Sequence, residues 1–212
     1  AGAIPGSGFV AMLGLWLYAV DDAHAATVAW VANRNALVAA TLAVTALSSL
    51  HRYRAEGFRA GAWLGPLCFA LGLCAGETAV SMLGYVVAYL LILDRGSWAS
   101  RARALAPYLV LLAAHRIVYR VLGLGSFGSS AYHDPVGEPL SLIAQLAYNL
   151  PVLLSAQLGG PSADLAFWGD PSQRGALLVL SLLVLVGIGV LCAPLLARDQ
   201  HARFCGLGML LS

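Results

Sequence analysis

The stretch Gly175–Ala197, GALLVLSLLVLVGIGVLCAPLLA, decides the class of fold, since it has no charged side chain. About 20 apolar residues are enough to cross the hydrocarbon core of a bilayer as an α-helix. The whole chain is 60% hydrophobic and only 10% charged, whereas soluble domains are about 25% charged. Too few polar residues remain to enclose several such stretches in a soluble protein. The sequence therefore predicts an integral membrane protein.

Similar apolar stretches recur along the chain, at about residues 8–20, 35–50, 62–75, 78–93, 104–122, 141–158 and 175–197. Gly76-Glu77-Thr78 interrupts the long run 62–93, and a charged residue at mid-membrane is costly. We therefore predict two short helices that turn near Glu77. The fold class predicted is all-α, a polytopic transmembrane helix bundle with about six spans plus one interfacial or re-entrant helix. We expect residues 1–212 to form a single transmembrane domain, an internal fragment of a longer polytopic protein.

Glycine spacing predicts where helices pack closely. Gly61 and Gly65 are four residues apart, as are Gly72 and Gly76. Small residues at this spacing let two helix backbones approach each other.

Arginine placement predicts the topology. Segments 51–61, 94–103 and 198–203 carry eight arginines: Arg52, Arg54, Arg59, Arg95, Arg101, Arg103, Arg198 and Arg203. All three segments fall on one side if 62–93 is a hairpin and 141–158 does not cross. The positive-inside rule makes that side cytoplasmic. Segment 141–158 contains Gln145 and Asn149, which suits an interfacial or re-entrant helix.

The basic residues also bear on partners and location. The formal charge of +2 gives no reason to expect a nucleic-acid partner. All twelve basic residues are arginine, which fits a bacterial coding bias. We expect a location in the bacterial inner membrane, with membrane lipid as a partner.

The densest polar cluster lies in Tyr18–Ala39, YAVDDAHAATVAWVANRNALVA. Adjacent carboxylates such as Asp21 and Asp22 can hold a divalent cation or act as a general base, and His24 can ligate or position a group. The alternative is a solvated loop in which Asp22 caps a short amphipathic helix. Both interpretations stay open, and the pattern names no metal and no cofactor.

Three other groups of polar residues are candidates. Glu77, between apolar runs, should face protein or water, either as a functional acid or as an acid at the positive end of the next helix. Arg116 and Arg120, four apart near the external end of 104–122, can clamp a phosphate or simply reach lipid headgroups. His133 and Asp134, in a turn with prolines at 135 and 139, can bind a metal ion, or belong only to the turn.

Two stretches, one around Asp21-Asp22 and one around Glu77, resemble segments of a known family. YAVDDAHAATVAWVANRNALVAATLAV resembles an external loop and the following helix in membrane glycosyltransferases of the C fold, of the transmembrane O-mannosyltransferase type. That family's loop has the form HP-x-H-x-E-x-V-x-W-x-x-x-R, and His24, Val28, Trp30 and Arg34 line up with it. LGLCAGETAVSMLGYVVAYLLILDR is similar to the family's L-x-S-K-E-x-A helix break, with Glu77, Ala79 and Asp94 matching.

The resemblance implies a transferase that uses a polyprenyl-phosphate sugar donor at the external membrane face. On this hypothesis Asp21, Asp22 and Glu77 are the catalytic candidates and line the acceptor or metal side, and Arg116 or Arg120 holds the donor phosphate. The remaining substrate-binding candidates are His24, Arg34, His133 and Asp134. Asp21-Asp22 depart from the family's His-Pro, and Gly76 replaces its lysine. In that family the catalytic carboxylate usually lies in an earlier external loop, upstream of residue 1. The alternative is a non-enzymatic membrane protein, either a transporter or a degenerate scaffold.

Overall fold

A computed structural model describes residues 34–124, 139–162 and 170–212, together with Met12, Trp16 and Leu165. Throughout these residues the regular structure is helical, and no strand occurs among them, which confirms the all-α prediction. The longer helices are α1 (Arg34–Glu56), α2 (Gly61–Ala75), α3 (Met82–Ala88), α4 (Trp98–Val121), α5 (Pro139–Gln157), α6 (Arg174–Arg198) and α7 (Gln200–Leu211). The chain divides into two compact units, Ala1–Val118 with Phe204–Ser212, and Tyr119–Arg203.

Helices α1 and α2 form a tight antiparallel hairpin in the first unit. The residues of α1 that face its neighbours are small, because Ala39, Ala43 and Ala46 recur on one stripe of the helix and are buried. A methyl group added to Gly65 would lie 3.3 Å from the carbonyl oxygen of Ala46, and one added to Gly72 would lie 3.5 Å from that of Ala39. The close approach predicted from the glycine spacing is therefore confirmed.

The predicted break near Glu77 is also confirmed. Helix α2 ends at Ala75, and Gly76 is extended before a 3₁₀ turn, Glu77–Ser81, leads into α3. A π-turn, Tyr89–Leu93, follows α3 and ends at Asp94. We call the end of the hairpin that holds Gly76 the turn end, and the opposite end, which holds segments 51–61 and 94–103, the arginine-rich end.

Helix α4 starts at the arginine-rich end and packs along α2. The Tyr108 ring lies 5.5 Å from the Phe69 ring, centroid to centroid, and its hydroxyl packs against Gly65. Phe69 and Tyr108 are the largest side chains that the first unit buries completely. Residues Phe204–Ser212 add a further segment to this unit, since the Phe204 ring packs on Tyr85 and Tyr89.

Three described helices are long and apolar enough to cross a membrane: Trp98–Val121, Leu140–Gln157 and Arg174–Arg198. Their surfaces are largely exposed within the chain, and Leu191 of α6, for example, is 80% exposed. Exposed apolar surface on helices of this length is typical of a membrane protein. A membrane protein is therefore supported, while the number of six spans stays a prediction.

Helix α5 is one continuous helix through Pro151, and it is long and apolar enough to cross a membrane. A continuous helix fits either a span or an interfacial segment, so the interfacial or re-entrant placement of 141–158 stays a prediction. Within the second unit, α5 packs against α6. Packing on α6 supports a regular helix despite the internal proline.

Candidate functional site

The turn end brings the start of α1 beside the break that carries Glu77. A methyl group added to Gly76 would lie 3.6 Å from the side-chain nitrogen Nδ2 of Asn35 and 3.6 Å from Cβ of Ala39. Arg34, the first residue of α1, and Glu77, the first of the 3₁₀ turn, are both exposed. A cation and an acid from distant parts of the sequence therefore lie at the same end of one helical hairpin.

Helix α4 runs toward this same end. It begins beside Arg54 and passes Gly65 of α2 at Tyr108, so its later residues lie farther toward the turn end. Arg116 lies eight residues after Tyr108, or about 12 Å along the helix axis. Arg120 follows one turn later on the same face, and both arginines are exposed. The two side chains therefore lie on one face of the helix, and their binding of a phosphate stays a prediction.

Five predicted site residues lie outside the described residues: Asp21, Asp22, His24, His133 and Asp134. Their relation to Glu77 and Arg116 stays a prediction. In the part of the chain that the structure describes, no group of three or more His, Cys, Asp or Glu side chains could hold a metal ion.

The arginine-rich end holds a network that sequence reasoning did not predict. Asp94 is buried, and its two carboxylate oxygens accept hydrogen bonds from Nε and Nη2 of Arg54, the latter at 2.9 Å. Nη1 of Arg54 donates to the hydroxyl of Ser100 at 2.9 Å. Arg101 donates from Nε to the carbonyl oxygen of Gly96 at 2.9 Å and also contacts the carbonyl oxygen of Asp94. One carboxylate thus ties segments 51–61 and 94–103 together.

The electrostatics of this network follow from its hydrogen bonds. The Arg54 guanidinium lowers the pKa of the Asp94 carboxyl, and the backbone N–H of Gly96 lowers it further, whereas burial acts in the opposite direction. The hydrogen bond with Asp94 correspondingly raises the pKa of Arg54. Both groups are therefore charged at neutral pH, which a buried pair requires if it is to stabilise the fold.

The signal that could have revealed the pair was present in the sequence. Asp94 is an isolated acid in an arginine-rich segment, directly after an apolar helix. Buried acids need a cationic partner. Segments 51–61 and 94–103 contain three arginines each, however, and the sequence alone does not show which of the six pairs with Asp94.

Comparison with protein-family models, curated proteins and solved structures finds no match to this chain. The geometry of the two ends of the hairpin therefore carries the functional argument.

Proposed function

We propose that this chain is part of a membrane glycosyltransferase that takes a sugar from a polyprenyl-phosphate donor at the external membrane face. The observation that carries the proposal is the position of Glu77. It is an exposed acid at a break between two apolar helices, at the same end as Arg34, and the preceding Gly76 lies close to Asn35. An ionisable residue between two apolar segments of a membrane protein is by default a candidate for a functional site.

The chemistry of the transfer needs both an acid-base group and a cation. The acceptor hydroxyl attacks the anomeric carbon of the donor and gives up its proton to a carboxylate, while the bond between that carbon and the phosphate oxygen breaks. The departing lipid phosphate gains negative charge, which guanidinium groups stabilise. We assign the phosphate contact to Arg116 or Arg120, and the acceptor or metal side to Glu77 with Asp21 and Asp22.

Two features support the proposal. Glu77 and Arg116 come from separate helical segments of the first unit, and the direction of α4 from Tyr108 carries Arg116 toward the turn end. At the opposite end the acids Asp94 and Glu56 are each paired with an arginine, whereas no ion pair among the described residues involves Glu77. The bacterial inner membrane is the location we propose for this chemistry.

The test is a transfer assay with the full-length protein in proteoliposomes, using a polyprenyl-phosphate sugar and measuring sugar release from the lipid. Glu77→Gln should lower kcat/KM by about 100-fold, the effect typical of a lost general acid-base group. Its matched control is Glu56→Gln, the same substitution at an exposed acid on the arginine-rich end.

The arginine is tested in the same assay. Arg116→Ala should lower kcat/KM by about tenfold or more, as expected for one lost phosphate contact. Arg59→Ala, at an exposed arginine of the opposite end, should leave turnover unchanged. Activity that survives Glu77→Gln and Arg116→Ala together would refute the assignment of the site. Flux of a solute across the vesicles without any transfer would favour a transporter.

A further inference from the structure

A cavity of about 270 Å³ lies between α1, α2 and α4 at the arginine-rich end. It belongs entirely to the first unit and lies at the opposite end of the hairpin from Glu77. Arg54 and Arg103 form a cationic part of its wall, and Leu50 and Ala104 belong to the apolar part. A cavity with a cationic part and an apolar part can bind an amphiphilic molecule that has an anionic group.

The charge of the cavity is positive. The carboxylate of Asp94 compensates Arg54 through two hydrogen bonds. Arg103 donates from Nε to the carbonyl oxygen of Ala99 at 3.3 Å, and no carboxylate of the described residues forms a salt bridge with it. Within the described part of the chain the guanidinium of Arg103, a residue that lines the cavity, has no counter-charge, and a singly charged phosphodiester would balance it.

Two hydroxyl groups of the wall have hydrogens to donate. Ser100 accepts the hydrogen bond from Nη1 of Arg54 through its oxygen, so that bond does not use the hydroxyl hydrogen. Tyr108 is 1% exposed, and its hydroxyl has no hydrogen-bond partner in the described part of the chain. A buried hydroxyl without a partner is costly, and an oxygen atom of a ligand would satisfy it.

Two prolines supply acceptors. Pro66 of α2 and Pro107 of α4 lack an N–H, so the carbonyl groups four residues earlier lose their usual helical donor. Those carbonyl groups belong to Ala62 and Arg103, and both residues line the cavity together with the prolines. Carbonyl acceptors beside a guanidinium group favour a ligand that has hydroxyl groups as well as a phosphate.

We propose that this cavity binds the headgroup of an anionic phospholipid, a hydroxyl-bearing phosphodiester whose phosphate contacts Arg103 and whose hydroxyls reach the freed carbonyls. Basic pockets between membrane helices on the cytoplasmic side bind such headgroups. The site is independent of the glycosyltransferase proposal, because it uses none of the residues of the turn end.

The experiment measures lipid retention by native mass spectrometry of the full chain, released from nanodiscs of phosphatidylcholine with graded phosphatidylglycerol. The wild type should retain phosphatidylglycerol in preference to phosphatidylcholine. Arg103→Gln should weaken this retention about tenfold, the loss expected for one charge-assisted hydrogen bond. Tyr108→Phe should weaken it severalfold while leaving the thermal midpoint no lower than that of the wild type.

A matched control separates the cavity from the general charge of this end. Arg95→Gln removes an exposed arginine of the same end that does not line the cavity, and retention should be unchanged. Arg103→Lys keeps the charge without the planar fork and should lose less than Arg103→Gln. Equal losses in Arg95→Gln and Arg103→Gln would overturn the proposal, as would unchanged retention in both Arg103→Gln and Tyr108→Phe. Displacement of the lipid by inorganic phosphate would reassign the cavity to a free anion.

Discussion

The carboxylate of Asp94 receives two hydrogen bonds from the guanidinium group of Arg54, forty residues earlier in the chain. The pair joins the end of α1 to the segment that follows the π-turn, and Ser100 extends it to the start of α4. Three elements that are separate in sequence thus meet at one carboxylate, which the guanidinium of Arg101 also approaches, at 4.0 Å.

Loss of the Asp94 carboxylate should destabilise the first unit. Asp94→Asn leaves the guanidinium of Arg54 without its counter-charge, and breaking a buried pair costs about 3 kcal/mol. The midpoint of denaturant unfolding in detergent micelles, followed by tryptophan fluorescence, measures the effect. The matched comparison is Glu56→Gln, which removes an exposed ion pair with Arg52. That change should cost less than about 1 kcal/mol. Equal effects of the two substitutions would contradict a structural role for the Asp94 pair.

The same pair predicts a dependence of stability on pH. The pKa of Asp94 is lower in the folded state, chiefly because of the hydrogen bond from Arg54. Its contribution is therefore complete above the unfolded-state pKa of about 4, and is lost as the pH falls below that value. The free-energy gap between wild type and Asp94→Asn should stay constant from pH 7 to pH 5. It should narrow steadily below about pH 4. Unfolding midpoints across this range test it, and a gap that persists to pH 2 would show that another interaction is lost in the variant.

Close packing at Gly61 predicts a steric effect of a single methyl group. A Cβ at this position would overlap the carbonyl oxygen of Ser49 and lie 3.0 Å from Cβ of Tyr53. Since both obstacles lie near the backbone of α1, Gly61→Ala should destabilise the hairpin by about 1–3 kcal/mol. Gly187→Ala in α6 is the matched control, because nothing lies within 4 Å of its added methyl group. It should be neutral or stabilise slightly, as alanine favours a helix. Identical unfolding midpoints for the two variants would refute the close approach.

Part of the fold could be predicted from the sequence, because single residues determine where a helix breaks and where two helices pack closely. A charge such as Glu77 is costly in lipid, which predicted a break in the helix there. Gly61 and Gly65 have no side chain to keep two helices apart, which predicted a close approach. The grouping of segments 51–61 and 94–103 followed from the count of helices between them. The Arg54–Asp94 pair could not be predicted, because several arginines on each segment were equivalent until the register of α1 against α4 was known. The cavity could not be predicted for the same reason, since its lining residues Pro66 and Pro107 belong to different helices.

Cysteine labelling should show that the two ends of the hairpin lie on opposite sides of the membrane. In a background without the native cysteines, Glu77→Cys and Arg59→Cys both place a thiol at an exposed position. A membrane-impermeant maleimide added outside sealed cells should label position 77 and leave position 59 unlabelled until the membrane is opened. The positive-inside rule predicts that position 59 is cytoplasmic, because segments 51–61 and 94–103 contain six of the twelve arginines. Labelling of position 59 from outside would reverse the proposed orientation.

The first unit also predicts how many times residues 119–203 cross. The chain leaves this unit on α4, toward the turn end, and returns at Phe204, which packs on Tyr89. Tyr89 lies at the arginine-rich end, since its hydroxyl is 3.3 Å from Nδ1 of His51. Leaving at one end and returning at the other requires an odd number of crossings. Among the described residues between them, only α5 and α6 are long enough to cross.

We therefore expect α6, the more apolar of the two helices, to cross alone, while α5 stays on the external side as its polar residues first suggested. The segment between them then faces outside. Gln173→Cys, at an exposed position just before α6, should react with the impermeant maleimide as readily as Glu77→Cys and unlike Arg59→Cys. If position 173 instead reacts only after the membrane is opened, α5 crosses, and the return of the chain at Phe204 needs another explanation.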